Sequence, residues 1–154
     1  MATVFKRREA RPIPEGAEIL ERPGYTVIPG LVGMHDHIFY PAGPGHYNTL
    51  EYSAPRLYLA AGVTTIRTTG GMEPYTELNL RRAIREGRVP GPEMHVTSPY
   101  LEGQGAFTLQ MHELKSPEEA REMVAYWDGV GIDDFKAYTN ITRAQLSAAI
   151  DEVH

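Results

Sequence analysis

Cysteine is absent from this 154-residue sequence. That excludes disulfides and thiolate metal sites together, so any metal must be held by histidine, carboxylate or something less usual. Long hydrophobic runs are missing too. No segment approaches the roughly 20 apolar residues of a membrane span. Residues 1–16 hold no apolar stretch of signal-peptide length, which makes a cytoplasmic location the default. Positive charge is scarce: the net charge is -5. The one basic run, Lys6-Arg7-Arg8 with Arg11 nearby, is short and reads as a solvated N-terminus. This balance argues against nucleic acid and anionic membranes as partners, since both need concentrated Lys and Arg. A phosphate-cradling glycine motif is lacking, because Gly43-Pro44-Gly45 is not followed by the remaining glycine and helix start. There is no evident repeat or low-complexity tract.

What is present suits a soluble domain with a real core, at 42% hydrophobic and 23% charged residues. Ala17–Leu20 and Tyr25–Ile28 are candidate short strands around the turn Arg22-Pro23-Gly24. Leu31 to Phe39 reads as a buried strand, and Pro41 to His46 as a loop. Ser53 is a candidate N-cap for a helix stopped by Gly62. The β-branched run Val63–Thr69 is a strand, Tyr75–Glu86 a helix with Leu80, Ala83 and Ile84 on one face, and Met94–Thr97 a short strand. A long loop spans Leu101 to Leu114. Ser116-Pro117-Glu118-Glu119 and Thr142-Arg143-Ala144-Gln145 are capping boxes that open two helices, with a strand at Asp134–Tyr138 between them. Alternating strands and helices predict a parallel sheet.

The chemistry concentrates in His35-Asp36-His37. Alternate side chains of a strand share a face, so the two imidazoles would project together, a natural start for a metal site. Two such histidines also occur simply on edge strands or loops. The apolar approach Val27–Val32 and the Gly/Pro-rich segment after Phe39 favour the C-terminal end of a strand, where parallel α/β architectures carry their sites. Lys136 comes second. If Phe135 and Ala137 face the helices, Lys136 and Tyr138 face the interior, where an unpaired ammonium is costly. A surface lysine, or one paired with Asp133 or Asp134, is the plainer reading. His46, in a glycine-rich segment, is a candidate for a lid or for supporting the metal ligands, and His112, in the long loop, is a candidate for approaching a substrate. For His95 core packing is expected, and for His154 a helix-end position.

These segments resemble the amidohydrolase superfamily, in its imidazolonepropionase-related and prolidase-like branch. Val27–His37 is similar to its first-strand metal motif, and Ala61–Arg67 with Gly70-Gly71 to its second-strand motif. Leu80–Ile84 with Gly87 and Pro90-Gly91-Pro92 is similar to the approach to its third strand, and Asp134–Tyr138 with Ile141-Thr142 to its fourth-strand lysine segment. The resemblance covers residues 17–154. It implies an α/β fold, an incomplete (β/α)8 TIM barrel of about four βα units in residues 31–154. Short strands of a small β-sandwich would precede it in residues 1–30. It implies hydrolysis of an amide or other C–N bond in a small-molecule substrate. The implied cofactor is one or two divalent metal ions, zinc by expectation. His35 and His37 would be ligands, Lys136 a carboxylated bridge, and Tyr138 a substrate contact by its spacing.

Two positions depart from the family pattern. Gly33 stands where an Asp is common two residues before the first histidine, and Thr68 where an Asp often follows the second-strand arginine. A full barrel needs about 250 residues. The family's remaining histidine ligands and its general-base aspartate lie on later strands, so a fragment inactive alone is expected, with homo-oligomerisation left open. Two alternatives stay open: a lactone or phosphoester hydrolase on the same scaffold, and a non-catalytic α/β module.

Overall fold

The computed structural model describes residues 12–132 and 134–153; Lys6–Arg8, Arg11, Asp133 and His154 lie outside the described residues. Strand β1 (Leu31–Asp36) is followed by a hairpin, β2 (Phe39–Gly43) and β3 (His46–Thr49). Helix α1 (Ser53–Ala60), strand β4 (Val63–Thr68) and helix α2 (Pro74–Arg85) come next. Two short strands, β5 (Glu93–His95) and β6 (Thr97–Leu101), precede α3 (Pro117–Val130), β7 (Asp134–Ala137) and α4 (Arg143–Val153).

The strands other than the hairpin pair in parallel. β4 lies between β1 and β5, and β6 pairs with β7. Because β5 runs into β6 with only Val96 between them, and Gly71 bridges to Pro99, the order across the array is β1, β4, β5/β6, β7. The array is mixed with four helices and does not close into a barrel. Met94–Thr97 was expected as one short strand. In fact the extended chain continues to Leu101, carrying Pro99 at a register irregularity, where its missing N–H costs no ladder bond.

The core lies between strands and helices. Ile38, Ile66, Met94 and Ile132 are at most 1% exposed, and Phe135 joins this cluster to a second one built on Leu101, Val124 and Ala149. Each such side chain contributes about 1.5–3 kcal/mol by leaving water. The capping boxes form. Ser116 Oγ accepts from Glu119 N at 3.2 Å; Thr142 Oγ1 accepts from Gln145 N, while Gln145 Oε1 accepts from Thr142 N. Gly62 takes φ +79° just past α1, as the stop signal requires. Ser53, in contrast, is the first residue of α1 rather than its cap; Tyr52 precedes it without a side-chain bond.

Three expectations fail. The buried strand expected over Leu31 to Phe39 ends at Asp36, with Leu31, Val32 and Met34 exposed, and Phe39 opens the hairpin instead. The segments 17–20 and 25–28 form no strand, although the turn between them exists, with Tyr25 N donating to Arg22 O. A strand needs a neighbour's backbone, and among the described residues none lies alongside. Residues 41–46 are not a loop: they make most of a hairpin in which Phe39 opposes Thr49 and Tyr40 opposes Asn48. Gly45 at φ +68° makes the reversal.

Candidate metal centre

β1 delivers His35, and the residue just past its end is His37. Their rings meet edge to face at a centroid separation of 5.5 Å. Asp36 lies close to Tyr58 of α1, and a register irregularity falls between Gly33 and Asp36. This arrangement suits Gly33: a Cβ there would collide with the Asp36 carboxylate. The position where an acidic residue was expected is filled by Asp36 itself. Tyr58 donates its hydroxyl to the His37 carbonyl at 2.9 Å and so fixes the chain at the site.

His37 is half-buried. Burial, then the neighbouring His35, and further the ammonium of Lys136, hold its pKa below the ordinary histidine value, so the neutral, ligating form is favoured. Its Nδ1 is buried without a hydrogen-bond partner, and Nε2 lies 3.5 Å from Thr69 Oγ1, at the outer limit of a hydrogen bond. Lys136 sits on β7, at the opposite margin of the array from β1, yet its charge reaches His37. Asp134 is not the partner of Lys136, since it pairs with Arg67 at 3.3 Å. Among the described residues Lys136 has no ion pair; its Nζ stands 5.9 Å from the Tyr138 ring. Alternation along β7 holds as expected for Phe135, which packs in the core, and for Tyr138, which joins the mouth cluster of Met72, Tyr100 and Met111.

The donors fit a metal ion in part. Two imidazoles, one with an orphaned nitrogen, and a lysine able to become a carbamate are suitable groups. They are fewer than a closed four-ligand site requires. No group of three His, Cys, Asp or Glu side chains converges among the described residues.

Sequence reasoning missed the aromatic wall beside this cluster. Ring contacts run from His37 to Phe39 at 4.5 Å, on to Tyr47 at 5.5 Å and Phe107 at 5.8 Å. They continue to Tyr138 at 5.9 Å and Tyr100 at 4.7 Å. The hairpin supplies Phe39 and Tyr47. It is tied to the long loop by Gln110, which accepts from Tyr47 N at 2.7 Å and donates to Tyr47 O at 2.9 Å. The aromatic residues flanking Gly43-Pro44-Gly45 were the available signal. Gln110→Ala is expected to cost about 1–3 kcal/mol locally. Amide exchange at Tyr47 should accelerate while that of β4 is unchanged; equal protection in both proteins would contradict this latch.

The remaining histidines disperse. His46 is exposed on β3. His95 is exposed, not in the core, because Met94 and Val96 take the buried positions on either side. His112 bonds to Glu119 at 2.7 Å.

No family model and no curated protein matches the chain. Solved structures do. A Bifidobacterium longum protein described as a prolidase superimposes with a TM-score of 0.61 at 31% identity, over 81% of this chain and 32% of its own. A bottromycin amidohydrolase gives 0.65 at 21% identity, over 80% of this chain and 25% of its own. A Xaa-Pro dipeptidase gives 0.57 at 17% identity, over 80% of this chain and 40% of its own. At the level of fold, the match is to the amidohydrolase superfamily. The chain spans between 25% and 40% of the length of these three. No helix among the described residues is long and apolar enough to cross a membrane.

Proposed function

We propose that this chain is the N-terminal part of a metal-dependent amidohydrolase that hydrolyses an amide or other C–N bond of a small molecule, and that it is inactive without the rest of the barrel. Residues 31–154 would be the first half of that barrel, and residues 1–30 would belong to the accompanying small β-sandwich. The observation that carries the reading is the edge-to-face approach of His35 and His37 at the end of β1, with Lys136 of β7, which has no ion pair among the described residues, within electrostatic reach of His37. His35 and His37 would hold a divalent ion, zinc by expectation, with Lys136 as a carboxylated bridge to a second. Such an ion supplies Lewis acidity toward water and a substrate carbonyl. The chain's own residues orient and enclose: Tyr58 anchors the His37 backbone, and Tyr138 with the aromatic wall would hold an apolar or ring-bearing group beside the scissile bond. The protein would act in the cytoplasm.

The test uses the full reading frame that contains this chain. Hydrolysis of dipeptides and N-acyl amino acids should vanish on chelation and return with Zn²⁺ or Mn²⁺. His35→Ala should lower both metal content and turnover. Turnover of lactones or phosphoesters with no C–N hydrolysis would transfer the protein to the alternative class. A metal-free protein indifferent to His35→Ala would be a non-catalytic module.

A further inference from the structure

Apart from His35, His37 and Lys136, none of which lines it, an open cavity of about 430 Å³ lies between α2, α3 and the loop after β6. Tyr100, Tyr126 and Trp127 give it aromatic surface, and Met72, Met111 and Met123 give it polarizable thioethers. The aromatic corner is well defined. The Trp127 ring is 5.1 Å from that of Tyr75 and 5.2 Å from that of Tyr126, the latter at 86°, and the two tyrosine hydroxyls touch.

The ionisable groups lining this cavity are two carboxylates and one histidine, His112, which pairs with Glu119. Glu119 and Glu122 line it, with no lysine or arginine. Glu119 is held in place, Oε1 at 2.7 Å from His112 Nε2 and Oε2 accepting from Lys115 N at 2.6 Å. Glu122 has no ion pair among the described residues. A third carboxyl group, which burial keeps protonated at neutral pH so that it adds a dipole and no charge, lies behind two lining residues, Gly71 and Tyr100. It belongs to Glu77, whose Oε1 would be 3.1 Å from a Cβ on Gly71 and whose Oε2 has no partner.

We infer that this cavity binds a small organic cation, an ammonium group bearing short apolar substituents, seated against Tyr126 and Trp127 and facing Glu119 and Glu122. Aromatic faces attract such a cation through their quadrupole, and the carboxylates add Coulomb attraction. An anion would be repelled by the same groups. A hard metal ion would find too few oxygen donors among thioethers and rings. The inference does not depend on the metal centre.

Occupancy is read by calorimetric titration of the full reading frame that contains this chain. Choline is the probe, and the comparison is its uncharged isostere with tert-butyl in place of trimethylammonium. A saturable change with choline is expected, at least roughly tenfold tighter than with the isostere. Glu122→Gln should weaken choline several-fold and leave the isostere unaffected, and Tyr126→Leu should weaken choline as well. Absence of a saturable signal, equal affinity for the two probes, or choline affinity unchanged in both variants would overturn the proposal. Thermal melts of both variants should match the parent, since Glu122 and Tyr126 lie on the exposed face of α3.

Discussion

Glu77→Gln is expected to stabilise the protein by several kcal/mol above about pH 8 and to change little below pH 4.5. Glu77 projects from α2 into the interior and is 1% exposed. Its partner is the Thr68 hydroxyl, which itself accepts from Thr97 N at 3.0 Å. Burial outweighs that single bond and pushes the carboxyl up to about 8 from 4.5. The folded state therefore keeps a proton that the unfolded chain releases first. Between those two values stability falls with rising pH, by about 1.4 kcal/mol per unit and about 5 kcal/mol in all. Above the folded value the loss is complete; below the unfolded value the group contributes no penalty. Other ionisable groups facing it are few: the phenol of Tyr100 is the one whose own pKa, raised chiefly by burial, also registers the Glu77 charge. Glutamine keeps a hydrogen-bonding group at Thr68 without a charge to bury. Urea denaturation of both proteins at about pH 5 and above pH 8 checks this; parallel pH responses would remove Glu77 as the cause.

Glu77 also shows where sequence reading stops. Leu80, Ala83 and Ile84 mark the inward face of α2, and Glu77 lies one turn before Leu80 on that same face. The period alone assigns it to the interior, yet an acidic residue at a helix start reads as an ordinary dipole partner until Thr68 is known to lie opposite. Four of the five parallel strands and the four helices were legible because their signals are local: β-branched runs, capping boxes, and glycines past helix ends. The hairpin was not, because Gly and Pro at its tip suggest irregular chain, while its stability comes from Gln110, 63 residues beyond Tyr47. His35, His37 and Lys136 could be picked out individually. The electrostatic reach of Lys136 to His37 could not, because it depends on how strands far apart in sequence are placed, which no single strand encodes. His95 was misassigned for a related reason: in a strand of three residues, a one-residue change of phase exchanges core for surface.

On the amidohydrolase reading proposed above, Lys136→Ala is expected to lower kcat/KM of the full-length protein by roughly a thousandfold or more, the equivalent of several kcal/mol of lost transition-state stabilisation. The argument is electrostatic. Lys136 is half-buried, Asp134 is already engaged by Arg67, and its ammonium acts unfavourably on His37. As a cation it would repel the metal that the histidines are suited to hold. Loss of its proton and attack of the amine on CO2 forms an N–C bond and releases a second proton, leaving a carbamate whose two oxygens can ligate. This reverses the sign of the group without moving the strand. Arginine preserves the charge and length but cannot follow this route, so Lys136→Arg should be as inactive as Lys136→Ala. Short carboxylates such as acetate should restore part of the activity of the alanine variant alone, because only there is a space left beside His37. Intact mass under native conditions should show one added CO2 in the metal-loaded protein and none in either variant. Full activity of Lys136→Arg would assign Lys136 to packing or charge balance, and the metal would then need a different bridge.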